Sequence, residues 1–274
     1  MSTLNVSFSD LPLLGKKPAA VVRLLCEAGA DGLEILMDGP AWDDPGEAAR
    51  QLRTVLRTCP VPVSLHPPAW DINLTSENGV IRAASFEAHL AAVRLAHEVG
   101  AKHVVVHPGF RHSPAFPLYA AWERAEDALA RLVEAARPLG VVLAVENVGY
   151  GGESLFTQDE YVVFVERFDS AVTGYLIDTG HALLNGWDLP ALLEQAAPRL
   201  AGIHLHDNYG DADTHRPVGE GTVAWDGIWR ALGALAPDCP LILEYAPGTP
   251  LSRLSADRER IARWIAGAGC GLSA

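Results

Sequence analysis

Short apolar runs alternate with longer segments of helical spacing along the whole chain. The apolar runs are rich in β-branched and aliphatic residues, which is typical of strands that are covered on both faces. Eight such runs are predicted to be strands: LNVSF (4–8), GLEILM (32–37), VPVSLH (61–66), HVVVH (103–107), VVLAVE (141–146), TGYLID (173–178), GIHLH (202–206) and LILEY (241–245).

The segments between these runs have the boundaries of helices. PAAVVRLLCEAG (18–29) opens on a proline and closes on a glycine, and WERAEDALARLVEAARPLG (122–140) closes on Pro-Leu-Gly. SFEAHLAAVRLAHEVG (85–100) is predicted to begin at Ser85 as its N-cap and to end at Gly100. Eight alternations of buried strand and helix favour a closed parallel barrel over an open sheet. We therefore predict an α/β fold, a single (β/α)8 TIM barrel over residues 1–274.

The composition is that of a large globular domain with an acidic surface. Of the 274 residues, 49% are hydrophobic and 20% are charged, so a large core can be buried and disorder is not expected. The formal net charge of -13 opposes long-range attraction to the phosphates of nucleic acids. The chain contains no GxGxxG or GxxxxGK[ST] motif, so a nucleotide-binding fold gains no support.

The cysteines and the length of the apolar runs are used to predict the cellular location of the protein. Cys26, Cys59, Cys239 and Cys270 form no CxxC pair, and they are interpreted as buried, reduced side chains rather than as disulfides or zinc ligands. No apolar stretch approaches the about 18 residues of a membrane-spanning helix, and the first residues lack the pattern of a secretory signal. A cytoplasmic location without a membrane partner is therefore expected.

Metal-competent side chains lie at the ends of six successive predicted strands. In a barrel, the carboxyl ends of the strands converge on one mouth, so these residues are expected to become neighbours. A single histidine at a strand end is more often a hydrogen-bonded structural residue than a ligand. A carboxylate inside an apolar strand, however, costs several kcal/mol unless it is paired. The recurrence on six strands therefore predicts a divalent-metal site, formed by His66, His107, Glu146, Asp178, His204 and Glu244.

Further candidate ligands are expected at the same mouth. His181 follows Asp178 by three residues in IDTGHA, and the loop in HLHDNYGDADTHRPVGEG (204–221) carries Asp213 and His215. Mixed imidazole and carboxylate ligands suit Zn, Mn, Co or Fe and do not select among these metals, and the absence of thiolates disfavours a purely structural zinc. Four other histidines are interpreted as surface or packing residues: His89, His97, His103 and His112.

Six motifs together carry a resemblance to a known family. In chain order they are HPPAWDINLTS, VVVHPG, LAVENV, LIDTGHA, DTHRPVGEG and LILEY, and they span most of the chain, roughly from His66 to Tyr245. They resemble the xylose isomerase-like barrel superfamily, which includes sugar isomerases and epimerases and the apurinic endonucleases of the endonuclease IV family. The combination is specific for the superfamily and much less specific for the reaction.

The two branches of this superfamily imply different metal centres. In the sugar isomerases and epimerases, four ligands hold one divalent metal, usually manganese, and two glutamates of that set also move the proton. The matching positions here are Glu146, Asp178, His204 and Glu244, with Glu146 and Glu244 as the catalytic pair. In the endonucleases, nine ligands hold three zinc ions, and the matching set is completed by His66, His107, His181, Asp213 and His215.

The charges of the predicted loops favour a small substrate over DNA. Acidic residues outnumber the basic residues of the strand-to-helix loops, which are Lys16, Lys17, Arg82, Arg111 and Arg216. A duplex needs Lys or Arg along its groove, so nucleic acid is the less favoured partner. A sugar could stack on the apolar ring faces of Trp42, Trp70 or Trp187. The predicted substrate-binding residues are His66, His181, Trp70 and Arg216; Arg216 could hold a phosphate or a hydroxyl, or pair with Asp213.

Three functions are compatible with these patterns. The preferred one is a divalent-metal-dependent isomerase or epimerase of a small sugar or polyol-like carbonyl compound, in which Glu146 and Glu244 transfer the proton next to the carbonyl through an enediolate. The alternatives are a zinc-dependent apurinic endonuclease and a barrel that binds a sugar or a metal without turnover. The sequence leaves open the substrate, its phosphorylation and the number of metals, and it is compatible with a homo-oligomer.

Overall fold

The computed structural model describes residues 4–59 and 61–269 and contains a closed barrel of eight parallel strands. The strands are β1 (Val6–Ser9), β2 (Gly32–Leu36), β3 (Val63–His66), β4 (Val104–Val106), β5 (Leu143–Glu146), β6 (Thr173–Asp178), β7 (Leu200–Leu205) and β8 (Leu241–Leu243). Each strand pairs with its neighbours in chain order, and β1 pairs with β8 to close the barrel. The predicted (β/α)8 architecture is confirmed.

Helices surround this barrel and connect its strands. They are α1 (Pro18–Glu27), α2 (Pro45–Leu56), α3 (Gly79–Val99), α4 (Leu118–Ala136), α5 (Gln158–Glu166), α6 (Thr179–Leu184), α7 (Leu189–Ala196), α8 (Trp225–Leu235) and α9 (Leu251–Gly269). Both α6 and α7 lie between β6 and β7, and one α-helix, in places with a short 3-10 turn, connects each of the other pairs of successive strands.

The predicted boundaries are close for the strands, but two helices begin earlier than predicted, and one of them is α4, which starts at Leu118 instead of within the segment 122–140. Each strand begins and ends within two residues of its predicted limits. The helix predicted to start at Ser85 starts at Gly79 instead, because the side chain of Asn78 caps it by accepting a hydrogen bond from the backbone N–H of Val80. Ser85 is a buried residue within α3, where its hydroxyl donates to the carbonyl of Ile81 and accepts from the backbone N–H of Asn73.

Buried apolar side chains form two separate clusters, and the smaller one lies inside the barrel. It consists of Val105, Ala144, Leu176 and Ile242, whereas the larger one includes residues of both the strands and the surrounding helices. Side chains alternate between the two faces of a strand, so the residue two positions further along points to the same side. The residues two positions beyond the small cluster are His107, Glu146, Asp178 and Glu244. The small cluster is therefore the apolar floor beneath four of the predicted site residues.

Two of the four cysteines differ from the prediction. Cys26 in α1 and Cys59 after α2 form a disulfide, so the expectation that both are reduced is wrong. The two residues are 33 positions apart, and they meet because α1 and α2 pack against each other. Cys239 is free and buried, as predicted, and Cys270 lies outside the described residues. The cysteine pattern therefore no longer supports a reducing compartment.

Within residues 4–59 and 61–269, no helix combines the length and the apolar character needed to cross a lipid bilayer. The cytoplasmic location stays a prediction.

Candidate metal centre

Four side chains from neighbouring strands converge at the carboxyl end of the barrel. Glu146 ends β5 and Asp178 ends β6, while His204 lies in β7 and Glu244 directly follows β8. Asp178 and His204 are register partners in the pairing of β6 with β7. All four residues are buried. The structure thus brings together the four residues that were predicted to hold a single metal.

The ring of His204 is fixed between carboxylates. Its Nε2 atom lies 2.7 Å from Oε1 of Glu34. Its Nδ1 atom is buried and makes no hydrogen bond. This nitrogen lies 3.1 Å from Oε2 of Glu244, 3.3 Å from Oε1 of Glu146 and 3.6 Å from Oδ2 of Asp178. Three carboxylates therefore surround one unpaired imidazole nitrogen.

The LIDTGHA motif fixes the carboxylate of Asp178 at the end of its strand. Oδ1 accepts a hydrogen bond from the backbone N–H of His181 at 2.7 Å and so caps α6. Oδ2 lies 2.9 Å from Nε2 of His206 and also faces His204. The glycine of the motif is required, because a Cβ atom on Gly180 would collide with the ring of His206. The motif therefore positions one oxygen for the helix and one for the centre.

The electrostatics of these groups favour a bound cation. Burial alone would raise the pKa of Glu146, but the imidazoles of His204 and His107 hold that pKa well below its usual value. Burial alone would lower the pKa of His204, but the surrounding carboxylates, with Glu244 as the strongest, raise it well above its usual value. The imidazolium therefore neutralises part of the carboxylate charge. A divalent cation would supply this positive charge and release the proton, since a histidine ligand is neutral.

The donor set fits a divalent metal. An unpaired, buried imidazole nitrogen among three ionised carboxylates is costly unless a positive charge joins them. Among the described residues, the groups close enough to share an ion are formed by His, Asp and Glu. Such donors suit Mn, Zn, Co, Fe or Mg, and they do not select one of these metals.

Glu146 also belongs to a second group of candidate ligands. Its Oε2 atom lies 2.9 Å from Nε2 of His107 and 3.8 Å from Nε2 of His66. The rings of the two histidines meet edge to face, with centroids 4.8 Å apart. Because its other oxygen faces His204, Glu146 connects this group to the four-residue centre.

A third group is formed by His181, Asp213 and His215. The Nε2 atoms of the two histidines each lie 3.1 Å from Oδ2 of Asp213. His215 has a positive φ of 46°, a conformation that is uncommon outside glycine and often found at functional sites. Burial alone would lower the pKa of His215, but the hydrogen bond with Asp213 raises it to about 9. With this group, the structure assembles all nine residues that the endonuclease resemblance implies.

Two buried residues of the site, Glu34 and His206, were not singled out from the sequence. The ring of His206 stacks on that of His215, with centroids 4.0 Å apart, and its Nε2 atom contacts Asp178. His206 lies two residues after His204, so strand alternation could have placed both histidines on the same side. Glu34 lies inside the apolar run GLEIL of β2, where a buried charge is itself a signal.

Glu34 contacts the nitrogen of His204 that points away from the three carboxylates of the candidate centre. Its Oε1 atom accepts from Nε2 of His204, and its Oε2 atom accepts from the hydroxyl of Ser64 at 2.9 Å. The Nε2 atom of His103 lies 3.4 Å from the same oxygen, so this histidine packs in the barrel interior. A carboxylate that holds the remote nitrogen of a metal-binding histidine fixes the ring and raises its basicity.

The variant Glu34→Gln is expected to weaken metal binding by about 10- to 100-fold, the usual effect of losing such a partner. The amide can still hold the ring of His204, but it lacks the negative charge that makes the ligand nitrogen basic. Calorimetric titration of the metal-free protein with Mn²⁺ measures the dissociation constant. Glu27→Gln, at an exposed position in α1, is the matched control and should bind as the wild type does. An unchanged dissociation constant for Glu34→Gln would contradict this role.

A cavity of about 560 Å³ opens above the centre. Its lining includes Glu146 and Glu244 together with His66, His181 and Trp70, three of the residues predicted to bind substrate. The volume lies in the range of sites for one small molecule. The cavity is therefore the candidate substrate site.

Three other residues proposed from the sequence lie outside the cavity lining. The guanidinium of Arg216 lies 4.5 Å from the ring centroid of Tyr209. Trp42 is buried, and Trp187 packs against Tyr161. The structure gives no support to the substrate contacts predicted for Arg216, Trp42 and Trp187.

Comparisons with known proteins agree with this architecture. The chain is 33% identical over 259 residues to the 2-epi-5-epi-valiolone 7-phosphate 2-epimerase of an Actinoplanes species, with 90% of this chain and 89% of that protein covered. It is 25% identical over 199 residues to a protein of Thermoplasma acidophilum named "Probable endonuclease 4", with 66% and 68% covered. A solved D-tagatose 3-epimerase-like protein superposes with a TM-score of 0.84 at 22% identity, over 99% of this chain and 100% of the other.

The family assignment follows from the sequence as a whole. Residues 22–266 match the family described as xylose isomerase-like TIM barrel, a range that contains seven of the eight strands and every residue of the candidate centre. The chain therefore belongs to the xylose isomerase-like TIM barrel family.

Proposed function

We propose that the protein is a divalent-metal-dependent epimerase or isomerase of a small polyhydroxy carbonyl compound. The observation that carries this proposal is the placement of two buried glutamates beside one nitrogen of His204, at 3.3 Å for Glu146 and 3.1 Å for Glu244. Both glutamates also line the cavity. A reaction that removes a proton from a carbon and returns it on the other face needs two such groups around one substrate.

The relatives support the reaction class. The Actinoplanes protein, which is similar over most of its length, is named as a 2-epimerase of 2-epi-5-epi-valiolone 7-phosphate. The D-tagatose 3-epimerase-like structure supports the same fold. Neither name fixes the substrate of this chain.

Four residues would hold the metal: Glu146, Asp178, His204 and Glu244. Bound there, a divalent ion would polarise the carbonyl and the neighbouring hydroxyl of the substrate and so acidify the hydrogen between them. We favour Mn²⁺ or Zn²⁺ because the two branches of the family that the motifs resemble use manganese and zinc, and Co, Fe or Mg are alternatives because the carboxylate-rich set also accepts these ions.

The proton transfer is assigned to the two glutamates. Neighbouring imidazoles lower the pKa of Glu146 and of Glu244 against the effect of burial, so both are ionised and ready to act as bases at neutral pH. One carboxylate accepts the proton from the carbon next to the carbonyl and later releases it to water, and the other takes up a proton from water and delivers it to the opposite face of that carbon. His66 and His181 line the same cavity and are assigned to hydrogen bonds with substrate hydroxyls.

The expected result in D₂O is deuterium at the carbon next to the carbonyl of at least one ketose, when the protein is loaded with Mn²⁺. The exchanged hydrogen comes from solvent because a carboxylic acid group equilibrates with water between the two transfers. Mass spectrometry or proton NMR of a ketose panel measures this uptake. Metal-stripped protein is the control and should show no uptake. Exchange on no compound, together with cleavage of abasic DNA, would contradict the proposed function.

A second candidate is a zinc-dependent apurinic endonuclease, and one observation favours it. All nine residues implied by that resemblance lie in three contacting groups. The proposal of a small substrate ranks first because the cavity has the volume for one small molecule and its rim carries Trp70, Tyr150 and Glu153 instead of basic residues. A fluorescent duplex with one abasic analogue tests this candidate: nicking that disappears in His107→Ala would reverse the ranking.

A further inference from the structure

The cavity above the metal centre is polar where the candidate ligands lie and largely apolar elsewhere. Six apolar side chains contribute to its lining: Leu11, Leu36, Ala69, Trp70, Phe110 and Val148. These side chains can hold carbon atoms of a substrate, and they offer no hydrogen bond to a charged group. The part of the substrate that extends beyond the ligands therefore meets mostly apolar surface.

The lining of the cavity contains no lysine or arginine among the described residues. Its charged residues outside the four-residue centre include Glu153 at the rim and Asp213 in the third ligand group. The imidazoles of His181 and His215 in this lining each lie 3.1 Å from Oδ2 of Asp213, so they are already paired with a carboxylate. A phosphate group in the cavity would lose water beside carboxylates and find no lysine or arginine to pair with.

Two further arginines, Arg216 in the loop after β7 and Arg253 in the first turn of α9, contact other parts of the protein. Nε of Arg253 lies 2.6 Å from Oδ2 of Asp257, and its Nη1 atom contacts the carboxylate of Glu220. Arg216 lies over the ring of Tyr209. Neither Arg216 nor Arg253 is among the residues that line the cavity.

Arg111, in the loop after β4, faces a different cavity. It lines the neighbouring cavity that also contains His112 and Phe116. Its Nη2 atom donates to the carbonyl of Gly152 at 3.4 Å. This arginine is therefore not part of the lining above the metal centre.

The backbone of the loop after β7 is already occupied by an internal anion. In many barrels, phosphate binds at the loops after the seventh and eighth strands. Here the buried carboxylate of Asp207 accepts hydrogen bonds of 2.8–3.1 Å from three backbone N–H groups and one indole, those of Asn208, Gly219, Val223 and Trp225. These donors are satisfied within the protein, so they leave no anion site for a ligand.

We propose that the substrate of this site carries no phosphate group: it is a free sugar or polyol-like carbonyl compound whose end remote from the reacting carbons is uncharged. This inference rests on the proposed function and narrows its substrate class. It separates this chain from the Actinoplanes relative, whose name specifies a 7-phosphate.

The direct test compares free ketoses with their phosphate esters on the Mn²⁺-loaded protein. Each pair consists of a ketose and the same ketose phosphorylated at the carbon farthest from the carbonyl. Solvent deuterium uptake gives kcat/KM, and the melting temperature reports binding independently of turnover. We expect kcat/KM to be at least about 100-fold higher for the free ketose, since the phosphate would lose water beside carboxylates without a lysine or arginine in the lining. Only the free ketoses should raise the melting temperature.

The outcomes separate this inference from the proposed function. Faster exchange or stronger stabilisation by the esters would overturn the inference and leave the proposed function in place. Exchange with no compound would contradict the proposed function, while stabilisation by the free ketoses alone would still support the inference. No exchange and no stabilisation with any compound would overturn both.

A pair of rim variants tests the charge argument itself. The side chain of Glu153 is 45% exposed, so its replacement should leave the fold intact. Glu153→Lys adds a cation at the rim and should raise kcat/KM for the ester relative to the free ketose by about tenfold. Glu153→Gln, the matched control, should give a smaller increase. An unchanged ratio in Glu153→Lys would overturn the assignment of ester discrimination to the charges of this rim.

Discussion

Glu244→Gln and Glu146→Gln are each expected to lower the rate of epimerisation by about 10²- to 10⁴-fold, the usual contribution of a positioned acid or base. Each variant keeps an oxygen donor for the metal but can no longer accept the substrate proton. The rate is measured at saturating Mn²⁺, so that weaker metal binding does not determine the result.

The two variants should also differ from each other. If the glutamates act on opposite faces of one carbon, Glu244→Gln can still remove the proton of the epimer that faces Glu146. It should then exchange that proton with D₂O without inverting the carbon, and Glu146→Gln should do the same with the other epimer. Glu194→Gln, at an exposed position in α7, is the matched control and should keep full activity. Loss of exchange with both epimers in either variant would contradict the assignment of one base to each face.

Asp178→Asn is expected to lose the metal and, with it, all turnover. The asparagine can still cap α6 through its side-chain oxygen, as Asp178 does through Oδ1. The substitution replaces Oδ2 of Asp178, the oxygen that faces His204 and His206, by an uncharged amide nitrogen or oxygen. The fold should therefore survive while the centre loses one of its three negative charges. Elemental analysis of the dialysed protein measures the loss.

Asp213→Asn is the matched control for this prediction, because it makes the same chemical change in the third ligand group. With a single metal at the four-residue centre, this variant should keep its ion and lose mainly substrate affinity or loop order. His66→Ala and His215→Ala should behave in the same way. Loss of one of several metals from Asp213→Asn or His215→Ala would show that the third group is itself a metal site.

Thermal stability gives a second readout for the same pair. A ligand that binds only the folded state stabilises it by about 4 kcal/mol when its concentration is 1,000 times its dissociation constant. The wild type and Asp213→Asn should therefore melt at a higher temperature with Mn²⁺ than with EDTA, whereas Asp178→Asn should melt at the same temperature in both. This comparison distinguishes a lost metal site from a general loss of stability.

Much of the fold and the four residues of the candidate centre could be predicted from the sequence, and the reasons are physical. Parallel barrel strands are buried on both faces, so they form continuous apolar runs that end where the side chains reach the mouth. A carboxylate within such a run, such as Glu146 in VVLAVE or Glu244 in LILEY, is costly without a partner and so marks the site. The period of two along a strand then places these residues above the apolar floor.

Other features depend on contacts that no local pattern reveals. Glu34 holds His204 across 170 residues of sequence, and its role needs the inward faces of β2 and β7 to be known together. The disulfide between Cys26 and Cys59 depends on the packing of α1 against α2. The guanidinium of Arg216 lies 4.5 Å from the ring centroid of Tyr209, and the sequence alone does not predict this contact. Each of these is a tertiary contact between segments whose own sequences are compatible with other arrangements.

The most direct test of the central claim is the number of divalent ions bound to each chain of the purified wild-type protein. The claim is that Glu146, Asp178, His204 and Glu244 form a single metal centre that serves proton transfer. Elemental analysis after dialysis against metal-free buffer should then find one divalent ion per chain. Three zinc ions per chain would contradict the claim and would assign the nine assembled ligands to an endonuclease centre.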